Sequence, residues 1–589
     1  MSASTSPDTF SLTKTPVSCA GSASNNAPDS APASVFIAVA SPSSNQTTAA
    51  TASQALAGKT FAVKDNIDVA GYATTAACPG FERMPSASST VVQRLLQSGA
   101  NIAGKTNLDQ FACGLVGTRS PYGAVPNAFD PRYISGGSSS GSAVAVALGL
   151  VDFSLGTDTA GSGRVPAGFN NIVGLKPTRG LLSTAGILPA CAHIDCPSIF
   201  ARTVGEAVDV LMAAAGYDAQ DPYSRPIKLD ARAFPENFRF GVPDAAHLTF
   251  FGDIRAEQAF ALACERLQQL GGIKVEIDYT PMAQAATALY EDAWVAERYA
   301  AIRDFFDQHP EKIHPVVRTI IGAGKRYSAA DLFIATTRMR GYEQQVRALW
   351  SDIDVLVVPT APTIYTIEEV EANPIELNRR LGIYTNAVNL LDLAALAVPS
   401  SIRDDGLPFG ITFIGPAASD LRLADIGARY HAVTGLTLGI SNDPIPAATP
   451  IARPSGSTIR LAVVGAHLSG MPLNPQLIER GARLVQSTVT APCYRLYALS
   501  GSNAGKPGLV RTTANAGTSI AVEIWEMPIE HYGSFVAAIP APLGIGTLEL
   551  ADGSQVQGFL CESEGLRDAT DITAYGGWKS YVSTLNTDQ

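Results

Sequence analysis

Histidine is missing from the first 192 residues and occurs only seven times in 589. A serine in that region therefore has no histidine close in sequence to take its proton, and another base must be sought. Long apolar runs are missing too. The stretch Ala143 to Leu155 is broken by Asp152 and punctuated by glycine, too short to span a bilayer, so no membrane partner is expected. The first 33 residues are rich in Ser, Ala, Pro and Thr and lack the hydrophobic segment of a secretory leader. They read as a disordered segment, and the chain as a cytoplasmic protein. Charge is scarce at 16% Asp, Glu, Lys and Arg, and the net charge of −11 is thinly spread. No Lys/Arg cluster marks a nucleic-acid surface, so an anionic ligand must be drawn by local cations. The eight cysteines are scattered, and only Cys191-Ala-His193-Ile-Asp-Cys196 resembles a ligand set. Three donors without a second cluster favour reduced thiols in a loop, and neither a metal nor an organic cofactor is expected. His247, His309, His314 and His431 stand alone and read as structural or solvated.

What the chain does have is serine and glycine in two clusters, GGSSSGS (136–142) and GTDTAGSGR (156–164), closed by KPTRG (176–180). Upstream lies Lys64 in AVKDNID (62–68). A lysine can serve a serine as base if it is held neutral, which requires desolvation or a nearby cation. Lys64 ends the apolar run Phe61-Ala62-Val63, which reads as a buried strand. Ser138 to Leu150, dominated by Ala, Val and Ser, suits a close-packed helix. Val151 to Leu155 reads as a short buried strand and Gly156 to Gly163 as the loop leaving it. Backbone N–H groups of Thr159, Ala160, Gly161 and Ser162 in such a loop can bind a developing oxyanion, a contribution of about 2.7–4 kcal/mol per donor. A lone Gly/Ser cluster usually marks a flexible turn. Two clusters flanking a helix and a strand, preceded by a strand-borne lysine, point instead to a serine hydrolase that cleaves a C–N bond. GGSSSGS lacks the GK[ST] ending of a phosphate-binding loop.

On these residues the chain resembles the amidase signature family, whose pairing of bridging serine and nucleophile matches Ser138 and Ser162, 24 positions apart. The resemblance implies Ser162 as nucleophile, Ser138 as proton relay, Lys64 as base, a cis peptide before Ser138, and Asp158 as organiser of the nucleophile loop. DVLVVPTAP (354–362) and GLPFGITFIGP (406–416) extend it, so that it covers roughly residues 35 to 435. The fold implied is α/β, a large mixed sheet flanked by helices. A homodimer is also a family expectation.

LYEDAWVAERYAAIRDF (289–305) and NPIELNRRLGIYTNAVNLLDL (373–393) are similar to segments of allophanate hydrolases. Tyr290 and Arg298 match that group's substrate-binding pair, and their spacing places them on one helix face. A guanidinium can hold the carboxylate of allophanate bidentately while the phenol donates one more hydrogen bond. A solvated arginine neutralised by Glu297 is the plain alternative.

From about Leu436 to Thr458 proline and glycine prevent a regular element, giving a linker after a first domain at 34–435. Alternating strands then follow in RLAVVGAHL (460–468), APCYRLYAL (491–499), SIAVEIWEM (519–527) and TLELADGSQVQGFLCE (547–562), with Asp552-Gly553 as a hairpin turn and a helix near Asn474-Pro475. This second domain, 459–575 with a tail at 576–589, resembles the small α+β C-terminal domain of allophanate hydrolases, related to gamma-glutamyl cyclotransferases. The resemblance implies hydrolysis of allophanate to ammonia and carbon dioxide, with decarboxylation of an N-carboxycarbamate in the second domain. There a protonated His467 is the candidate. The chain carries no biotin-attachment motif, so urea carboxylation belongs to a separate biotin-dependent urea carboxylase. An amidase of other specificity, or a partner-dependent amidotransferase-like subunit, remains open on the residues alone.

Overall fold

Asp152 accepts the backbone N–H and the hydroxyl of Thr60 at 2.8 and 3.0 Å, and so fastens the start of one strand to the residue before another. From that point the two strands run parallel, in a sheet of eleven. The structure, a computed structural model, describes residues 32–40, 55–230, 232–447, 451, 458–500, 506–513 and 516–585. The chain divides into two compact units, 1–452 and 453–589.

In the first unit the strands are β1 Phe36–Val39, β2 Thr60–Lys64, β3 Asn101–Thr106, β4 Phe153–Asp158, β5 Val173–Lys176, β6 Cys196–Ala201, β7 Phe238–Pro243, β8 Gly272–Ile277, β9 Val355–Pro359, β10 Leu393–Ile402 and β11 Pro408–Pro416. They lie side by side in the order β1-β3-β2-β4-β6-β5-β10-β11-β9-β7-β8. Strand β2 is parallel to β3 and β4, and β7 to β8 and β9, while the central strands β4, β6, β5, β10, β11 and β9 alternate in direction. This is the large mixed sheet flanked by helices expected from the sequence. Continuous apolar runs such as Leu393–Val398 are buried along their whole length, as covering both faces of a sheet requires.

The Ala/Ser-rich helix spans Ser140–Ala147, two residues later than expected, because Ser139 keeps non-helical angles as its N-cap. All eight residues are buried, and small side chains make that closeness tolerable: a Cβ on Gly141 would lie 2.3 Å from the Val35 carbonyl oxygen. The following strand starts at Phe153, not Val151, and runs on to Asp158. Lys64 and Asp158 thus stand at the carboxyl ends of adjacent parallel strands, the end at which sheets of this class place their sites.

Residues within the stretch expected to be a linker are held to the first unit. Asn171 Nδ2 donates to the carbonyls of Thr437 and Gly439, the Ile440 N–H donates to Ala147, and Ile451 joins the main core. Residues 448–450 and 452–457 of that stretch, and the segment 1–31, lie outside the described residues.

In the second unit the strands are β12 Thr458–Val463, β13 Arg483–Val489, β14 Tyr494–Leu499, β15 Lys506–Arg511, β16 Ala521–Pro528, β17 Leu543–Glu549, β18 Gln555–Cys561 and β19 Thr570–Asp571. Five form a sheet in the order β13-β16-β12-β18-β17 and three a second sheet, β15-β14-β19. The hairpin between β17 and β18 turns at Asp552-Gly553, with Gly553 at φ 82° and Ser554 donating its N–H to Asp552. The helix after Asn474 is a single turn, Pro475–Ile478, and the core takes in Trp578, beyond the boundary expected at 575. Among the described residues no helix is long and apolar enough to cross a membrane.

Candidate active site

Lys64 is fully buried at the end of β2, and desolvation lowers its pKa from the ordinary value to about 7 against the pull of Asp109, Asp195 and Asp158. Its Nζ lies 2.8 Å from Ser138 Oγ, 2.8 Å from Thr157 Oγ1 and 3.4 Å from the Thr157 carbonyl. A neutral amine has two N–H groups and one lone pair. With Thr157 accepting both N–H groups, the lone pair is left for the Ser138 hydroxyl.

The Gly137–Ser138 peptide is cis. The Ser138 carbonyl accepts the N–H of Asp109, whose carboxylate in turn accepts the N–H groups of Val116, Gly117 and Arg119. A Cβ on Gly137 would fall 2.2 Å from Asp109 Oδ2, which is why glycine precedes the serine.

Ser162 sits in the loop after β4. Asp158 accepts the N–H groups of Gly161 and Gly163 at 2.9 and 3.0 Å and binds the Arg164 guanidinium through both oxygens at 2.9 Å. Burial pushes the Asp158 carboxyl up, but Arg164, Lys176 and the Gly163 N–H together outweigh it and hold the group below the usual carboxylate range. Arg164 also donates to the Thr385 carbonyl and Asn389 Oδ1, while Thr385 Oγ1 donates to the Ala160 carbonyl and Asn389 Nδ2 to that of Asp158. The loop is thereby fixed by groups more than 200 positions away.

Ser162 Oγ donates to the Gly114 carbonyl at 3.4 Å, and among the described residues no hydrogen bond joins it to Ser138. Of the four N–H groups expected to form an oxyanion hole, that of Gly161 is occupied by Asp158, whereas those of Thr159, Ala160 and Ser162 have no protein acceptor among the described residues.

Tyr290 and Arg298 are not on one helix. Tyr290 lies in the helix Thr280–Glu291 and Arg298 in Val295–Gln308, with the chain broken between them where Asp292 adopts an extended conformation. They nevertheless meet: the guanidinium carbon stands 5.3 Å from the Tyr290 ring centre, and Arg298 Nη2 lies 3.5 Å from the phenol oxygen. Arg298 is 2% exposed, and its Nε and Nη1 have no partner among the described residues. Glu297 does not neutralise it, because that carboxylate accepts the backbone N–H of His193 at 2.9 Å and lies 2.7 Å from His193 Nδ1. Among the described residues Arg298 forms no ion pair, and a buried charge with two idle donors marks a place for an anion.

Cys191 and Cys196 are buried while the His193 side chain is 66% exposed, and the three donors do not converge; among the described residues only Asp244, His247 and Asp278 gather ligand atoms. In the second unit His467 stacks on Phe559 at 5.3 Å and meets Phe535 edge-on at 5.2 Å. Burial lowers its pKa, and its Nε2 lies 3.1 Å from Gln476 Oε1, an acceptor only, so Nε2 carries the hydrogen. The protonated imidazole expected from the sequence is therefore disfavoured in the free protein.

Lys64, Ser138, Asp158, Tyr290 and Arg298 were legible in the sequence, whereas Asp109, Thr157, Asp195, Thr385 and Asn389 were not. Arg164 stood within the GTDTAGSGR cluster without a role. A lone arginine six residues after an aspartate signals an ion pair only once the loop between them is known to turn back.

A serine-rich loop, a desolvated lysine and a buried guanidinium with idle donors stand on a wide mixed sheet, an arrangement of the amidase class. Residues 19–424 match the amidase family model, and the chain belongs to that family. Residues 459–583 match the model of the allophanate hydrolase C-terminal domain. The chain is 44% identical over 550 residues to a urea amidolyase of Lachancea kluyveri, an alignment covering 91% of this chain and 30% of that protein, so it spans under a third of that relative's length. It is 32% identical to a glutamyl-tRNA(Gln) amidotransferase subunit of Streptococcus pneumoniae, over 65% of this chain and 84% of that one. Among solved structures it superposes on an allophanate hydrolase of Kluyveromyces lactis with a TM-score of 0.82 and 42% identity, covering 91% of this chain and 90% of that chain.

Proposed function

We propose that this protein hydrolyses allophanate, with Ser162 as nucleophile, Ser138 as relay and Lys64 as base. Lys64, with a pKa lowered to about 7, is neutral in a large fraction of molecules at neutral pH, and in that form draws the Ser138 proton; Ser138 takes that of Ser162 once Ser162 turns from the Gly114 carbonyl. Ser162 attacks the terminal ureido carbon, the oxyanion falls to the N–H groups of Thr159, Ala160 and Ser162, and ammonia leaves with the proton returned by the relay. Water then releases N-carboxycarbamate from the acyl-enzyme by the same proton route. The observation that carries the substrate is Arg298, a buried cation with two idle donors beside a phenol, which suits a small carboxylate.

In the second unit His467 is the candidate for protonating the nitrogen as carbon dioxide departs. A substrate bearing two negative charges favours the imidazolium that burial alone disfavours. A biotin-dependent urea carboxylation must supply the substrate; in the urea amidolyases the matching segment is part of a longer chain. The amidotransferase reading is the weaker match, at 32% identity over 65% of the chain against 44% over 91% for the urea amidolyase. A cytoplasmic homodimer belongs to the proposal and is checked by light scattering of the purified chain.

The test is ammonia release from allophanate and from a neutral amide. Arg298→Gln is expected to lower kcat/KM for allophanate about 100-fold or more while the neutral amide changes less than about threefold. Equal losses would remove the carboxylate assignment.

A further inference from the structure

The loop Ala190–Cys196 touches both ends of this site, and the mechanism above leaves it without a role. At one end buried Asp195 accepts the Thr159 hydroxyl at 2.5 Å and the N–H groups of Ala190 and Cys191 at 2.7 and 3.1 Å. Thr159 opens the loop whose unpaired N–H groups would receive the oxyanion. At the other end His193 is bonded to Glu297, the residue before Arg298, through both its backbone N–H and its ring. Between these ties the loop closes on itself, with the N–H groups of Ile194 and Asp195 donating to the Cys191 carbonyl at 3.0 and 2.9 Å. Asn389 Nδ2 joins the Ile194 carbonyl to that of Asp158. A turn so tied is held as one unit, and the Asp195 charge acts on both Lys64 and Arg298.

We propose that this loop is a strap that couples carboxylate recognition at Arg298 to alignment of the oxyanion donors, with Asp195 the positioning residue for Thr159 and the His193–Glu297 pair seating the Arg298 helix. The proposal rests on the allophanate assignment. Its consequence is that the substrate carboxylate is expressed in kcat as well as in KM, as remote binding contacts are when they organise the reacting end.

The experiment measures kcat and KM on allophanate and on a neutral amide for Thr159→Val, Asp195→Asn, their double variant, Thr159→Ser and His193→Ala. Rates are normalised to Ser162 labelled by a serine-directed fluorophosphonate. Thr159→Val and Asp195→Asn are each expected to lower kcat about 30-fold with little change in KM, within the penalty of a misplaced reacting group. The double variant should be no worse than the worse single, because both remove one contact. Thr159→Ser, which keeps the hydroxyl, should restore most of the rate. His193→Ala, at an exposed position, should lower kcat on allophanate about fivefold and leave the neutral amide unchanged. Multiplicative losses in the double variant, or normal turnover per labelled serine with less protein labelled, would make Asp195 a stability residue and overturn the strap. So would equal effects of His193→Ala on the two substrates. Equal losses from Arg298→Gln would instead overturn the carboxylate assignment, and the Thr159–Asp195 coupling would still be decided on the neutral amide.

Discussion

Lys64 in the first unit and His467 in the second are both pushed toward their neutral forms by burial, yet their surroundings differ. Around Lys64 the polar partners are fixed by hydrogen bonds: Thr157 takes the amine's hydrogens, Ser138 faces its lone pair, and Asp109 and Asp158 brace the two serine loops. Around His467 lie two phenyl rings and one amide, with the Arg480 guanidinium near enough for its charge to oppose protonation further. The first arrangement fixes which atom accepts a proton before substrate arrives. In the second, burial favours the neutral ring and a single amide orients it, so its protonation waits on the ligand. Burial alone therefore does not make a catalytic base; the hydrogen bonds that direct the lone pair do.

The sharpest way to break this comparison is to remove the first site's chemistry. Ser162→Ala and Lys64→Met should each lower ammonia release by at least about 10⁴-fold, together no worse than singly, as groups acting as one unit behave. Circular dichroism should show both folded. Arg164→Met should come next, leaving Asp158 buried and unpaired at a cost of about 3–5 kcal/mol, measured as a fall in the denaturant midpoint. Unchanged stability would mean that Asp158 finds another partner. A smaller effect is the pH dependence. The neutral amine is the active form, so kcat/KM should be level above about pH 7 and fall tenfold per unit as pH drops below the lowered Lys64 pKa. A profile flat down to pH 5 would remove Lys64 as base. Smallest of all, His467→Asn should leave the initial rate of ammonia release within about twofold while slowing carbon dioxide release, followed by mass spectrometry. Loss of both together would join the two units in one step.

The serine loops and the strands beside them were legible because their signals are local, whereas the large sheet followed from the family resemblance. A continuous apolar run means a strand covered on both faces, and paired glycines beside serines mean backbone brought close to something. Boundaries moved where a side chain intervened, as when Asp152 bound Thr60 and delayed the start of β4. The spacing of Tyr290 and Arg298 fits one helix, but the chain breaks at Asp292 and the pair meets across the break. In the second unit β13, β15 and β19 lie outside the strands expected from the sequence: β13 is exposed along nearly its whole length and lacks the alternation that marks a half-buried strand.

By itself the sequence determined which groups are candidates for the reaction, because a lysine ending an apolar strand and serines set among glycines stand out in a few adjacent letters. Only the tertiary structure decided what holds them: Thr385 and Asn389 reach Ala160 and Asp158 from the far side of the chain, and Asp195 ties Thr159 to the loop that His193 fastens beside Arg298. Such partners have no fixed spacing. Their pairing depends on which strands become neighbours in the sheet, and that is settled by burial of the whole core rather than by any local pattern.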